Sequence, residues 1–159
     1  MASIVGFPGT VNERAARVVA AAVAVVAAIT LLSGWYWLLV PLALGFLARV
    51  IAGPTLDPFA RLAVHVVAPR LGPPKMVPGP PKRFAQAVGL MLSSTAAIAA
   101  LWLDATAVAD VLVATLLLFA TLEAALGFCA GCWMFGQLMR VGLIPEATCR
   151  ACADIRARA

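Results

Sequence analysis

A chain of 159 residues with 64% hydrophobic residues and a net charge of +5, at a mean hydropathy of +1.00, lies outside the composition of a soluble globular domain. It excludes a separate soluble domain and leaves room for one compact helical bundle in a lipid bilayer. The basic surplus is confined to particular loops, so it reads as a signal of membrane orientation with anionic-lipid contact, and it gives no ground for nucleic-acid binding.

In chain order, Arg14 and Arg17 stand at the start of a first apolar run from about Ala15 to Leu32. That run exceeds the ~7–15-residue core of a signal peptide and turns directly into a second run, so it is expected to stay as a span. The second runs from about Trp35 to Ala52, with only "SGWY" between the two, which predicts a tight helical hairpin. The third covers about Phe84–Leu103 and the fourth about Ala107–Phe128. Each approaches the ~20 residues that cross a hydrocarbon core as a hydrogen-bonded helix. The expected fold is an all-α membrane protein, four transmembrane helices in two hairpins, forming one domain over 1–159.

Every Lys and Arg falls in the N-terminal segment, in the stretch from Arg49 to Arg83, or from Arg140 onward. The positive-inside rule therefore puts both termini and the central segment in the cytoplasm of a bacterial plasma (inner) membrane. The central segment, 53–83, divides in two. Leu56, Phe59, Leu62, Ala63, Val66 and Val67 recur at helical spacing while Asp57, Arg61 and His65 take other positions, which predicts a short interfacial helix. Pro69, Pro73, Pro74, Pro78, Pro80 and Pro81 then predict an extended strap. His65 is read as a polar contact before it is read as a ligand.

Among the span residues, Glu123 carries the one carboxylate well inside an apolar run, a costly placement that marks function or interhelical packing. On an unbroken helix it shares no face with the cysteines six and nine residues on. Arg49, an N-terminal Arg or Asn12 are the expected partners. Asp104 and Asp110 read as helix-terminal residues. Trp35, Tyr36, Trp37, Trp133 and Phe135 read as interfacial anchors. Gly127 and Gly131 form a small-x-x-x-small pair that admits a close helix neighbour or a homo-oligomer.

The tail, 129–159, carries all four cysteines: Cys129 and Cys132, then Cys149 and Cys152 after sixteen intervening residues. On the cytoplasmic side, structural disulfides are disfavoured. The spacing C-x₂-C-x₁₆-C-x₂-C matches a four-cysteine zinc site. Both pairs also look helical, Cys129 and Cys132 as a continuation of the fourth span and the second pair in a helix opened by Pro145 and Glu146. Helical pairs suit dithiol redox or sulfur chemistry as well, with Cys149 closest to a helix N-terminus. The cluster is read first as a four-cysteine zinc-binding module, with a membrane thiol–disulfide oxidoreductase or sulfur-handling protein as the alternative, and whether the protein is an enzyme stays open.

Five stretches, "FPGTVNERAAR", "RVIAGPTLDP", "PPKRFAQAVG", "LEAALGFCAGC" and "GLIPEATCRAC", together resemble a bacterial integral-membrane family catalogued as domain of unknown function 4395. The resemblance implies a small multi-span protein with a cysteine-rich end and gives no reaction. It also implies a thioredoxin-like or sulfurtransferase partner. Four-helix thiol oxidoreductases of the vitamin K epoxide reductase type are similar in placing a C-x-x-C near the end of a span, but this chain lacks their outer-loop cysteine pair.

Overall fold

The structure, a computed structural model, describes residues 8–149. It is an all-α membrane protein apart from one strand pair, and four of its helical segments are long and apolar enough to cross a membrane. The first is α1 (Glu13–Ser33), started by Asn12, whose side chain accepts from the Arg14 N–H, and stopped by Gly34 in the left-handed conformation. A 3₁₀ turn (Tyr36–Leu38) leads into α2 (Leu39–Ala52). After the central segment come α5 (Gly79–Leu101) and α6 (Thr106–Leu126).

α1 packs chiefly along α6, α2 along α5, and α5 along α6. The first two helices are thus consecutive in sequence yet barely touch, and α5 and α6 stand between them. The core is built from small residues. Ala27, Ala96, Ala100 and Ala109 close around Leu39 and Val113 at one end, and Val19, Val23, Ala60, Ala63 and Ala120 close around Phe46 and Leu116 at the other. Large residues such as Leu44, Leu118 and Met91 turn outward. In a bilayer, outward apolar side chains lose nothing to lipid, so close backbone approach decides the packing. Gly89 shows this directly, because a Cβ there would run into the Phe46 ring.

The central segment begins as helix, and the extended strap ends earlier than expected because Pro80 and Pro81 already belong to α5. The segment is helical through Arg70, as α3 (Pro58–Leu62), a π-turn (Ala63–Val67) and α4 (Ala68–Arg70). Pro58, Pro69, Pro80 and Pro81 occupy first-turn positions, where a missing N–H costs nothing. This helical stretch sorts its residues by size. Asp57, Ala60, Ala63 and Ala68 are buried, while Leu56, Phe59, Leu62 and Val66 are exposed on the outer side. Small residues pack against the bundle and large ones face the surroundings, as in the spans. His65 is exposed.

Extended chain is confined to β1 (Thr10–Asn12) and β2 (Met76–Pro78), an antiparallel pair with Thr10 opposite Pro78 and Asn12 opposite Met76. Glu13 N–H donates to Lys75 O at 2.8 Å and Gly79 N–H to Gly9 O at 2.8 Å. Gly79 is required there, since a Cβ would strike the Pro8 carbonyl. The strand pair therefore ties the start of α1 to the start of α5, a link of high sequence separation that no local pattern announces.

Candidate functional site

The fourth span ends before the cysteines. Gly127 takes φ 70°, its N–H donating back to the Glu123 and Leu122 carbonyls, a C-cap that terminates the helix. Arg17 reinforces this end by donating to the carbonyls of Ala124 and Ala125 at 2.8–3.1 Å. The chain then reverses and starts α7 (Ala130–Arg140), for which Cys129 is the N-cap. The pair is thus not a continuation of α6. Cys129 sits at a helix N-terminus, the place the sequence reading reserved for Cys149.

At that position Cys129 Sγ accepts the backbone N–H of Cys132 at 3.3 Å, so one of the free donors of the first turn points at the sulfur. The Cys132 thiol also hydrogen-bonds to it, and that bond is the main cause holding Cys129 below the ordinary thiol range. The Lys82 charge adds to this effect, while burial and Glu123 oppose it. The Cys132 thiol is pushed far up, first by that same hydrogen bond, then by burial and by the Cys129 charge. Cys129 is thus the more acidic thiol of the pair and Cys132 the one that keeps its proton longer. Both are half-buried free thiols.

Glycine brings this helix start against α5. A Cβ at Gly131 would lie 2.5 Å from Ala85 Cα, so only glycine lets α7 approach that closely. Three residues before Ala85 stands Lys82, whose ammonium pairs with Glu123 at 2.5 Å, the two side chains 9% and 14% exposed. Glu123 therefore meets Lys82 and acts on Cys129, and the unbroken-helix argument that separated it from the cysteines fails at Gly127. Gly127 and Gly131 serve different ends, one a cap and the other a helix contact, and do not form a joint stripe. Arg49, an expected partner of Glu123, pairs instead with Asp57, donates through Nε to Gln86 Oε1 at 2.8 Å and lies 4.5 Å over the Phe46 ring.

Lys82 was missed by the sequence reading because it was counted only as a topology charge beside Arg83. The available signal was its place on the first turns of a span, seven residues before Gly89 on the packed face. Phe135 is buried against Phe84, with ring centroids 5.8 Å apart, and is no interfacial anchor; Trp35, Trp37 and Trp133 are exposed. Asp110 accepts from the Tyr36 hydroxyl at 2.7 Å, and Asp104 sits in the α5–α6 turn at φ 50° while Ala105 caps α6.

Cys149 closes a 3₁₀ turn (Glu146–Cys149) and is buried with Phe135 and Met139 on the far part of α7. It is disulfide-bonded. Cys152 and the rest of the expected C-terminal helix lie outside the described residues. Among the described residues no three His, Cys, Asp or Glu side chains gather as a metal site, so the donors available beside Lys82 are two thiols and one carboxylate already paired.

The model of one family, described as a domain of unknown function (DUF4395), matches residues 11–140. The chain belongs to this family. Comparison with curated proteins and with solved structures yields no match. The DUF4395 region takes in Lys82, Glu123, Cys129 and Cys132, and it stops short of Cys149 and Cys152. The matched segment therefore contains the first cysteine pair and ends before the second.

Proposed function

We propose that this protein is a membrane thiol–disulfide oxidoreductase of the bacterial plasma membrane, with Cys129 and Cys132 as its redox pair and the cysteine-bearing end in the cytoplasm. The observation that carries the reading is the cap geometry: Cys129 at the N-terminus of α7, its sulfur accepting the Cys132 N–H. A thiolate placed there is stabilised by the helix end and remains a competent nucleophile near neutral pH.

In the exchange, the Cys129 thiolate attacks one sulfur of a partner disulfide. The S–S bond of the partner breaks, a mixed disulfide forms and the partner's second sulfur leaves as thiolate. Cys132 then loses its proton and attacks Cys129, forming the Cys129–Cys132 disulfide and releasing the reduced partner. The Lys82–Glu123 pair beside the thiols supplies the site's proton acceptor and an electrostatic counterweight to the transient thiolate. A thioredoxin-like or sulfurtransferase protein is the fitting soluble partner, since each presents a reactive sulfur at its surface.

The zinc reading rests on the sixteen-residue spacing of the two pairs and requires all four sulfurs as thiolates. Both readings meet in one experiment on the purified protein, in which zinc content and thiol titre are measured across a series of glutathione redox buffers. A two-electron transition at Cys129 and Cys132, abolished by Cys129→Ser, with no bound zinc, is the expected result. One zinc per chain released together with four thiols would replace the redox reading with the metal one.

A further inference from the structure

A cavity of about 840 Å³ lies between the start of α1, the end of α2, the central helices and the start of α5. Its volume falls in the ~300–1,000 Å³ range of small-molecule sites. The walls are mostly apolar, and the polar side chains that α2 and α5 contribute are Arg49, Lys82 and Gln86.

The hydrogen-bond inventory of these three is one-sided. Gln86 Oε1 is occupied by Arg49 Nε, which leaves the Gln86 amide N–H groups without an acceptor. Lys82 gives one bond, to Glu123, of the three its ammonium can donate. Arg49 is 7% exposed, and its Nη2 has no partner at all. A buried donor left unsatisfied costs about 1–3 kcal/mol, so Arg49 Nη2 calls for an acceptor, and Lys82 and Gln86 on the same wall have donors to spare.

Charge decides which acceptor. Arg49 is balanced by Asp57 and Lys82 by Glu123, so the wall carries donors but no net charge. A carboxylate or phosphate would enter without a counter-ion and be penalised in an apolar, membrane-level cavity. A neutral carbonyl on an apolar body suffers no such penalty. Gln86 also lines the small cavity of about 60 Å³ that reaches Glu123 and Cys129, and Lys82 on the wall of the large one pairs with Glu123, so the two cavities meet at Gln86 on the side of the dithiol.

We propose that the large cavity binds the head group of a lipid-soluble quinone, its carbonyl oxygens accepting from Gln86, Arg49 and Lys82, as electron acceptor for Cys129 and Cys132. This deepens the oxidoreductase reading and rests on it. In the net step the two S–H bonds break and one S–S bond forms. Two electrons and two protons pass to the two ring oxygens, giving the quinol. The disulfide so formed oxidises the soluble partner by the exchange run in reverse: a partner thiolate attacks one sulfur of the Cys129–Cys132 disulfide, the partner's second thiol resolves the mixed disulfide, and the dithiol is regenerated.

The test uses the whole chain, reduced and reconstituted in nanodiscs of neutral lipid, with a short-tail benzoquinone and a short-tail naphthoquinone as probes. The expected result is loss of two thiols per quinone reduced, with Gln86→Leu weakening apparent quinone affinity about tenfold, the worth of one lost hydrogen bond in a dry site. Gln86→Glu keeps the acceptor for Arg49 and removes the N–H donors, so it is expected to fold normally and lose quinone oxidation. Quinone oxidation and exchange with a soluble aromatic disulfide are measured on the same sample of each variant, and the expected result is a fall in the quinone rate relative to the disulfide rate. If the dithiol exchanges with that soluble disulfide but neither quinone oxidises it, the cavity assignment is wrong and the oxidoreductase reading survives. If it exchanges with neither, both fall. Displacement of quinone by oleate at equal affinity would overturn the neutral-ligand argument and make the cavity an acyl-chain site.

Discussion

The two ends of the bundle are built on opposite principles. At the end formed by Ser33, Leu39, Leu101 and Thr106 no ion pair is buried among the described residues: Ser33 and Thr30 bond back to Ile29 and Val26, Gly34 closes α1, and Tyr36 donates to Asp110. The core there is mostly alanine, and Trp35, Trp37 and Trp102 stand exposed. At the other end two ion pairs are buried, Arg49–Asp57 and Lys82–Glu123. Buried pairs seldom stabilise more than a well-packed apolar replacement would. A fold that needs only to span the membrane could close both ends in the first manner. The second end holds charges in place beside two thiols and a cavity, which is the arrangement of a site.

Removing one partner of a buried pair is the strongest way to break this contrast. Lys82→Met leaves Glu123 uncompensated and should destabilise the protein by about 3–5 kcal/mol, read as a lowered unfolding midpoint in detergent. Adding Glu123→Leu should restore most of that stability while the reactivity of Cys129 stays altered. If the double variant reacts like wild type, the pair is only structural.

Gly131→Val tests whether α7 must lie against α5. The added side chain meets Ala85, and overpacking of this kind costs about 1–3 kcal/mol. Because it pushes the Cys129 cap away from Lys82, alkylation of Cys129 should become slower at neutral pH, measured by mass spectrometry of the labelled peptide. Unchanged labelling would show that the close approach has no bearing on the thiol.

The pH dependence of the two cysteines separates them within the same site. Cys129 is held low by the hydrogen bond from Cys132, so its thiolate persists below the usual thiol value of about 8.5. Its alkylation should reach half its maximal rate at a lower pH than that of a free thiol, and fall about tenfold per unit below that point. The sign for stability follows: a depressed acid favours the fold above the unfolded value and loses that contribution as pH falls through the folded one. Cys132, raised by the same bond, should stay unlabelled until Cys129 is blocked. Equal labelling of both at pH 7 would remove the asymmetry on which the exchange mechanism depends.

The smallest effect belongs to the opposite end. Tyr36→Phe removes one partly exposed hydrogen bond to Asp110, worth about 0.5–1.5 kcal/mol, and should leave Cys129 reactivity untouched. A change in thiol reactivity there would mean that the two ends are coupled through the helices.

The four spans, the all-α architecture and the cysteine-rich end were legible in the sequence, because length and hydropathy of a run are local properties that a bilayer reads directly. Gly127 as a breaker was visible too, but not its consequence. Whether the chain after it continues or reverses depends on α7 finding a seat on α5 at Ala85, and that turns Cys129 from a helix end into a helix start. The partners of Glu123, Arg49 and Asp57 were likewise beyond reach. Each ion pair's geometry depends on how helices rotate about their axes, and in a membrane that rotation is set by small-residue contacts such as Gly89 on Phe46. Composition alone fixed that this protein lives in a membrane, since apolar area is additive along the chain. Which charges meet the thiols was decided only by tertiary structure, since a pairing energy falls off over a few ångströms and exists only once distant segments are packed.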